Sequence, residues 1–173
     1  MKKNLLCFLI LLMMPLASMA YDFEVDGIYY DLTGSSSVAV TNKSDYTAPY
    51  SGHITIPSTV NYNNKSYAVT SIGDEAFMYC SDMTSITIPE GVTSIGRSAF
   101  WGCSGLTSIN IPEGVTSIGR STFKDCSDMT SITIPEGVTS IGESAFSDCS
   151  SLTSINIPEG VTSIDEGAFY GCI

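Results

Sequence analysis

Side chains able to do chemistry are few in this chain, and most recur at one spacing. Cys80, Cys103, Cys126, Cys149 and Cys172 stand 23 residues apart, as do Glu90, Glu113, Glu136 and Glu159. His53 is the single histidine. Thiols at one phase could ligate zinc, pair as disulfides, or stay buried as small hydrophobes. Zinc sites gather closely spaced cysteine pairs, and no Cys-x-x-Cys occurs. Side chains stacked in parallel bridge poorly, which favours buried free thiols. Export into an oxidising compartment argues the other way, so both outcomes stay open. A glutamate column could approach Ca²⁺, but one carboxylate per step supplies too few of the oxygens that ion takes, and a solvated face is expected instead. His53 could act as a base only beside a nucleophile and an orienting partner, neither of which the sequence places next to it. No catalytic residue, metal ligand or cofactor is assigned, and the chain is read as a non-enzyme. A hydrolase is the reserve reading, with no constellation to carry it.

The bulk composition narrows the partners. The chain has 173 residues and a formal net charge of −11, a size that suits one domain with a real core. Phosphate binding needs a basic face, so nucleic acid is excluded as a partner, and anionic membrane surfaces are disfavoured. Residues 1–20 form the three-part pattern of an export signal: Lys2-Lys3, an apolar run from Leu5 to Leu16, and Ala17-Ser18-Met19-Ala20 before the cleavage point. The run is short for a bilayer span, which takes about 20 residues, so no transmembrane segment is expected in the mature chain. The expected location is exported: cell surface or extracellular, with the periplasm as the alternative.

The elements that must position these side chains are repeats. Val69-Thr70-Ser71-Ile72-Gly73 returns at Val92, Val115 and Val138, and in altered form at Val161 to Asp165. Phe77, Phe100, Phe123, Phe146 and Phe169 keep the same step of 23. Residues 82–127 laid on 128–173 match at 35 of 46 positions, which marks duplication of a two-repeat unit. Ile109-x-Ile111 has period two, a strand with both isoleucines inward, and Pro112 ends it. Val115 and Ile118 point inward from a second extended segment, and Gly119 to Phe123 suits one helical turn that tucks the phenylalanine into the core. Stacked repeats align like residues in columns about 4.8 Å apart, so the phenylalanines and cysteines become ladders.

Leu106-x-x-Ile109-x-Ile111-Pro112, Val115-x-x-Ile118-Gly119, Phe123 and Cys126, repeated over residues 69–173, resemble the leucine-rich repeats of the bacterial surface-antigen (BspA-like) type. The resemblance implies a mainly β solenoid, a right-handed superhelix with a parallel concave sheet and short helical turns on the convex side. It also implies secreted or cell-surface proteins that bind host proteins or other cells, with no enzymatic activity in the repeat.

Residues 21–68 differ in composition and hold seven of the nine tyrosines. They are expected to form an N-terminal β cap and a degenerate first repeat: a hairpin around Asp26-Gly27, a strand at Val38-Ala39-Val40, a repeat strand over His53 to Pro57, and a second hairpin between Tyr62 and Tyr67. Solenoid ends must be covered, which is the cap's purpose. Asn42-Lys43-Ser44 and Asn64-Lys65-Ser66 match the glycosylation sequon, a chance match in a bacterial chain. The sequence stops in mid-repeat at Gly171-Cys172-Ile173, so the last coil, with its divergent Asp165-Glu166-Gly167, either caps itself or belongs to a shortened product.

Within the implied fold, the concave sheet exposes Ser85, Thr87, Ser108, Asn110, Ser131, Thr133, Ser154 and Asn156. These hydrogen-bond but offer no aromatic anchor. Tyr79, Trp101 and Tyr170, after the ladder phenylalanines, form an alternative aromatic edge. The function expected is an adhesin-like binding module whose partner is a host or bacterial surface protein, or a glycan. The alternative is an exported structural or vestigial repeat protein with no specific ligand.

Overall fold

The computed structural model describes residues 21–43 and 48–172. The expected export signal over 1–20 lies outside the described residues, as does Ser44 of the first sequon. Among the described residues thirteen strands follow in order. The first six are β1 (Phe23–Val25), β2 (Ile28–Leu32), β3 (Ser37–Thr41), β4 (Gly52–Thr55), β5 (Thr59–Tyr62) and β6 (Lys65–Ile72). Then come β7 (Met83–Thr87), β8 (Ser94–Ile95), β9 (Ser108–Asn110), β10 (Ser117–Ile118), β11 (Ser131–Thr133), β12 (Ser140–Ile141) and β13 (Ser163–Ile164).

Each coil of the repeat contributes two extended segments, so the stack builds two parallel walls rather than the single sheet expected. The first wall is β4-β7-β9-β11, extended by the bridge Thr133–Asn156. In the second, β6 pairs with β8, and β10, β12 and β13 pair in turn, all parallel. Alternation does the sorting: Ile109 and Ile111 face inward and are buried, while Ser108 and Asn110 between and beside them face outward. Pro112 follows at the strand end, where its missing N–H costs no ladder bond.

The third wall corrects the sequence reading. No helix occurs among the described residues, and the segment from Gly119 to Phe123 is a run of turns. Its backbone bonds run between coils. The N–H groups of Ser98, Phe100 and Gly102 donate to the carbonyls of Arg120, Thr122 and Lys124 one coil on, and Ser121, Phe123 and Asp125 repeat the pattern to Glu143, Ala145 and Ser147. Two left-handed residues bracket each phenylalanine, for example Ser121 (φ 54°) and Asp125 (φ 58°) around Phe123. A helix needs an unbroken run of right-handed residues, so these positions forbid it.

Between the walls lie the ladders. Phe77, Phe100, Phe123 and Phe146 are fully buried. Their rings stack with centroids 5.2–5.4 Å apart, a column that continues to Phe169. Leu106, Met83, Met129 and Leu152 fill the corner before the first wall. Burial of such a side chain contributes roughly 1.5–3 kcal/mol, and no single repeat could achieve it alone.

The N-terminal strands close the near end. β1 and β2 form a hairpin whose turn residues Asp26 (φ 52°) and Gly27 (φ 78°) are both left-handed, the geometry that follows strand twist. β2 pairs antiparallel with β3, and β3 pairs parallel with β6, so the added strands continue the second wall. The second hairpin joins β5 to β6 through Asn63-Asn64, again with both residues at positive φ. Tyr50 ends the phenylalanine ladder: its ring meets Phe77 at 4.7 Å. Its hydroxyl donates to the Thr41 carbonyl at 2.9 Å and accepts from the Tyr29 N–H at 3.2 Å.

Candidate functional site

The first wall brings the eight expected sheet-face residues into two columns. Ser85, Ser108, Ser131 and Ser154 form one, and Thr87, Asn110, Thr133 and Asn156 the other. All but Ser85 are well exposed, and Ser85 is intermediate. The registers add two residues that sequence reasoning left out. His53 sits opposite Ser85 and Thr55 opposite Thr87, so the degenerate strand β4 extends both columns. The phase of His53-x-Thr55, which matches Ser85-x-Thr87, carried that signal.

His53 Nδ1 and Ser85 Oγ share a hydrogen bond of 2.6 Å, and His53 Nε2 and Thr55 Oγ1 share one of 3.1 Å. A serine beside an imidazole invites a nucleophile reading. Here the far ring nitrogen meets a hydroxyl rather than the carboxylate that holds a catalytic base in place. The pair is a polar surface contact, and the face as a whole is uncharged in a strongly acidic chain.

The turn wall separates the expected aromatic edge into two places. Tyr79 and Trp101 pack at 5.4 Å, tilted by 48°. Gly102 makes room for them, since a Cβ there would come within 2.5 Å of Tyr79 Cδ1. The indole N–H donates to Asp125 Oδ2 at 2.8 Å, and Lys124 Nζ lies 5.6 Å from the ring centroid. Tyr170 is not part of this pair. It stands on the fifth coil, 72% exposed, beside a cleft of about 350 Å³. Lys124, Glu143, Ser147, Asp148 and Glu166 are among the residues lining that cleft. The cleft and the supports of Trp101 were not read from the sequence, because they depend on which turn residues meet across coils.

Cys80, Cys103, Cys126, Cys149 and Cys172 lie in one column, with no disulfide among the described residues. Each from Cys103 onward donates its S–H to the carbonyl of the phenylalanine of the preceding coil, at 3.0–3.2 Å. Burial pushes the Cys80 thiol up to about 11 and Cys149 up to about 12, and it raises Cys126 well above the ordinary range. These thiols are poor nucleophiles. The glutamates Glu90, Glu113, Glu136 and Glu159 are exposed at the turn after the first wall. Among the described residues no group of three or more His, Cys, Asp or Glu is placed to hold a metal ion.

Residues 51–173 match the profile of the BspA-type leucine-rich repeat region, in six copies. The chain belongs to the BspA-type leucine-rich repeat family. No curated protein matches it significantly. Among solved structures it is similar to a leucine-rich repeat protein from Bacteroides ovatus, at 43% identity and a TM-score of 0.80 over 86% of this chain and 38% of that one. It is also similar to the leucine-rich repeat protein of T. pallidum, at 27% identity and a TM-score of 0.74 over 87% of this chain and 67% of that one. A leucine-rich cell surface protein from Faecalibacterium prausnitzii aligns at 31% identity and a TM-score of 0.65, over 87% of this chain and 46% of that one. The chain thus spans well under half the length of the Bacteroides ovatus protein. Among the described residues no helix is long and apolar enough to cross a membrane.

Proposed function

We propose that this chain is an exported, adhesin-like binding module that engages a host or bacterial surface protein through the face of β4, β7, β9 and β11. The observation that carries the reading is the sheet face itself: two in-register columns of exposed hydroxyl and amide side chains, uncharged, on a parallel sheet backed by a rigid apolar core. Such a face offers a dense set of donors and acceptors with little side-chain entropy to lose on binding. The family, and the description of one relative as a cell surface protein, support placement outside the cell. The scaffold is read as non-enzymatic, since its one imidazole is engaged by two hydroxyls.

The test combines surface exposure with a face variant. Protease shaving of intact cells should release peptides from residues 21–173. Replacing Ser108, Asn110, Ser131 and Thr133 together by Lys should then abolish capture of the partner protein while circular dichroism stays that of the parent. Retained binding by the folded variant moves the site off this face.

A further inference from the structure

We propose that the turn wall is a second, independent binding site: a groove that takes a neutral oligosaccharide laid along the stack. Its sugar rings would stack on Tyr79 and Trp101 at one end and on Tyr170 at the other. Their hydroxyls would donate to carboxylates in the cleft between.

The first ground is where the repeats differ from one another. Residues 82–127 and 128–173 agree at 35 of 46 positions, and the eleven that disagree all fall in turn segments: 97, 101, 102, 105, 119–122, 124, 125 and 127 of the first copy. Every strand residue of the two walls is unchanged. Core packing explains the constancy of Phe, Cys, Ile and Val, and the ladder explains the left-handed Ser, Asp and Gly. Neither explains why the column just after the ladder phenylalanines reads Trp101, Lys124, Ser147, Tyr170. Trp101, Lys124 and Tyr170 are large and lie outside the core, and Ser147 alone is small and buried.

The second ground is shape. Backbone bonds place the four residues on successive coils, for Ser98, Ser121 and Ser144 before them pair in register with Arg120, Glu143 and Glu166. Trp101 and Lys124 touch through the ring. Ser147 is small and buried, its hydroxyl donating to Asp148 Oδ2 at 2.8 Å, and so it leaves a hollow between Lys124 and Tyr170. That hollow is the cleft of about 350 Å³. From the coil of Tyr79 to that of Tyr170 is four strand spacings, about 19 Å, a span for a short chain of sugar rings.

The third ground is chemistry. The cleft is lined by Lys124, Glu143, Ser144, Ser147, Asp148, Glu166, Gly167 and Tyr170, with no aliphatic side chain. An apolar anchor from a protein would find little to pack against there. A sugar suits it: hydroxyls donate strongly to carboxylates, and the apolar face of a ring covers an exposed aromatic. Glu143, Asp148 and Glu166 face Lys124 in the lining, and Glu143 is also paired with Arg120 Nη2 at 3.0 Å. Three carboxylates against two cations, in a chain of net charge −11, still disfavour an anionic glycan. Trp101 is held ready by its bond to Asp125 and Tyr79 by its seat over Gly102, so little ordering is needed on binding.

Trp101 is the only tryptophan, so its fluorescence reports on the groove directly. Neutral hexasaccharides of β-1,4-linked glucose, mannose and N-acetylglucosamine are titrated into the folded protein. At least one should give a saturable shift at millimolar concentration or below. Tyr170→Ala and Asp148→Asn should each weaken that binding by about tenfold, with the shift itself preserved because Trp101 remains. The sheet-face lysine variant should bind as the parent does, which separates this site from the one proposed above. No shift with any neutral hexasaccharide overturns the proposal. So does a shift seen only with a sulfated hexasaccharide or an oligoarginine peptide, and so does parent-like binding by Tyr170→Ala.

Discussion

The Sγ–H of Cys126 donates to the carbonyl oxygen of Phe100, one coil back, at 3.2 Å. That bond ties the two ladders of the core together, and its counterparts repeat from Cys103 to Cys172. Each thiol is thereby turned toward a backbone carbonyl rather than toward the next sulfur. A column of cysteines at strand spacing should therefore stay reduced even in an oxidising compartment. Denatured, non-reduced protein lacking residues 1–20 should titrate with five free thiols. In the folded state Cys172, which is only partly buried, should react first and the other four much more slowly. Fewer than four thiols on denaturation contradicts this packing.

Burial of the same thiols makes the fold sensitive to alkali. Their pKa values are raised in the folded protein, to about 11 for Cys80 and about 12 for Cys149, mainly by desolvation of the thiolate. The unfolded chain ionises near 8.5, so it binds fewer protons than the native state above that pH. The stabilisation is complete below about pH 8 and is lost as pH rises toward the folded values, with a slope nearing about 1.4 kcal/mol per pH unit for each buried thiol. Urea midpoints should fall steeply between pH 9 and 11. Replacing Cys80 and Cys149 by Ala should flatten that fall; an unchanged slope assigns it to other groups.

Phe123 sits in the middle of the ring column, with Phe100 and Phe146 each 5.4 Å away. Phe123→Ala should cost about 3–5 kcal/mol. The end residue Phe169 is only partly buried, so Phe169→Ala should cost distinctly less. Equal losses in chemical denaturation would mean that the coils do not share one continuous core.

The left-handed turn positions give a fourth test. Ser121 has φ 54° and its N–H serves the ladder to Glu143. Ser121→Gly should be tolerated, because glycine reaches that conformation freely. Ser121→Val should lower stability by about 1–2 kcal/mol, since a β-branched residue resists positive φ. Equal thermal midpoints for the two variants would contradict the observed turn.

Close approach between coils gives a fifth. A Cβ at Gly105 would stand 2.5 Å from the Ser81 carbonyl oxygen, whereas one at Gly91 would meet nothing nearer than the Val69 oxygen at 3.6 Å. Gly105→Ala should destabilise by about 1–3 kcal/mol. Gly91→Ala should stay within about 0.5 kcal/mol of the parent. Similar melting temperatures would show that the coils can slide apart at no cost.

The repeat, the ladders, both hairpin turns and the membership of the face columns were legible in the sequence. Each follows from a period: two along a strand, or 23 along the chain. Pro112 after Ile111, and Asp26-Gly27 between apolar runs, are local signals that need no tertiary information. His53 and Thr55 share that phase but fall outside the columns read from the sequence; the register with Ser85 and Thr87, and the bond from His53 to Ser85, came only with the fold. The turn after Ile118 was misread as helical. Ser121 and Asp125 take left-handed conformations only because their N–H groups bond to the neighbouring coil, an energy absent from the segment in isolation.

What the residues determined by themselves is therefore the unit and its inward face, because burial and periodicity act within one repeat. What only the tertiary structure decided is everything made between repeats: two parallel walls in place of one, the direction of each thiol, the pairing of Tyr79 with Trp101, and the hollow that Ser147 leaves beside Tyr170. Those depend on which side chains meet across a strand spacing of about 4.8 Å. Stacking sets that register, and no single repeat contains it.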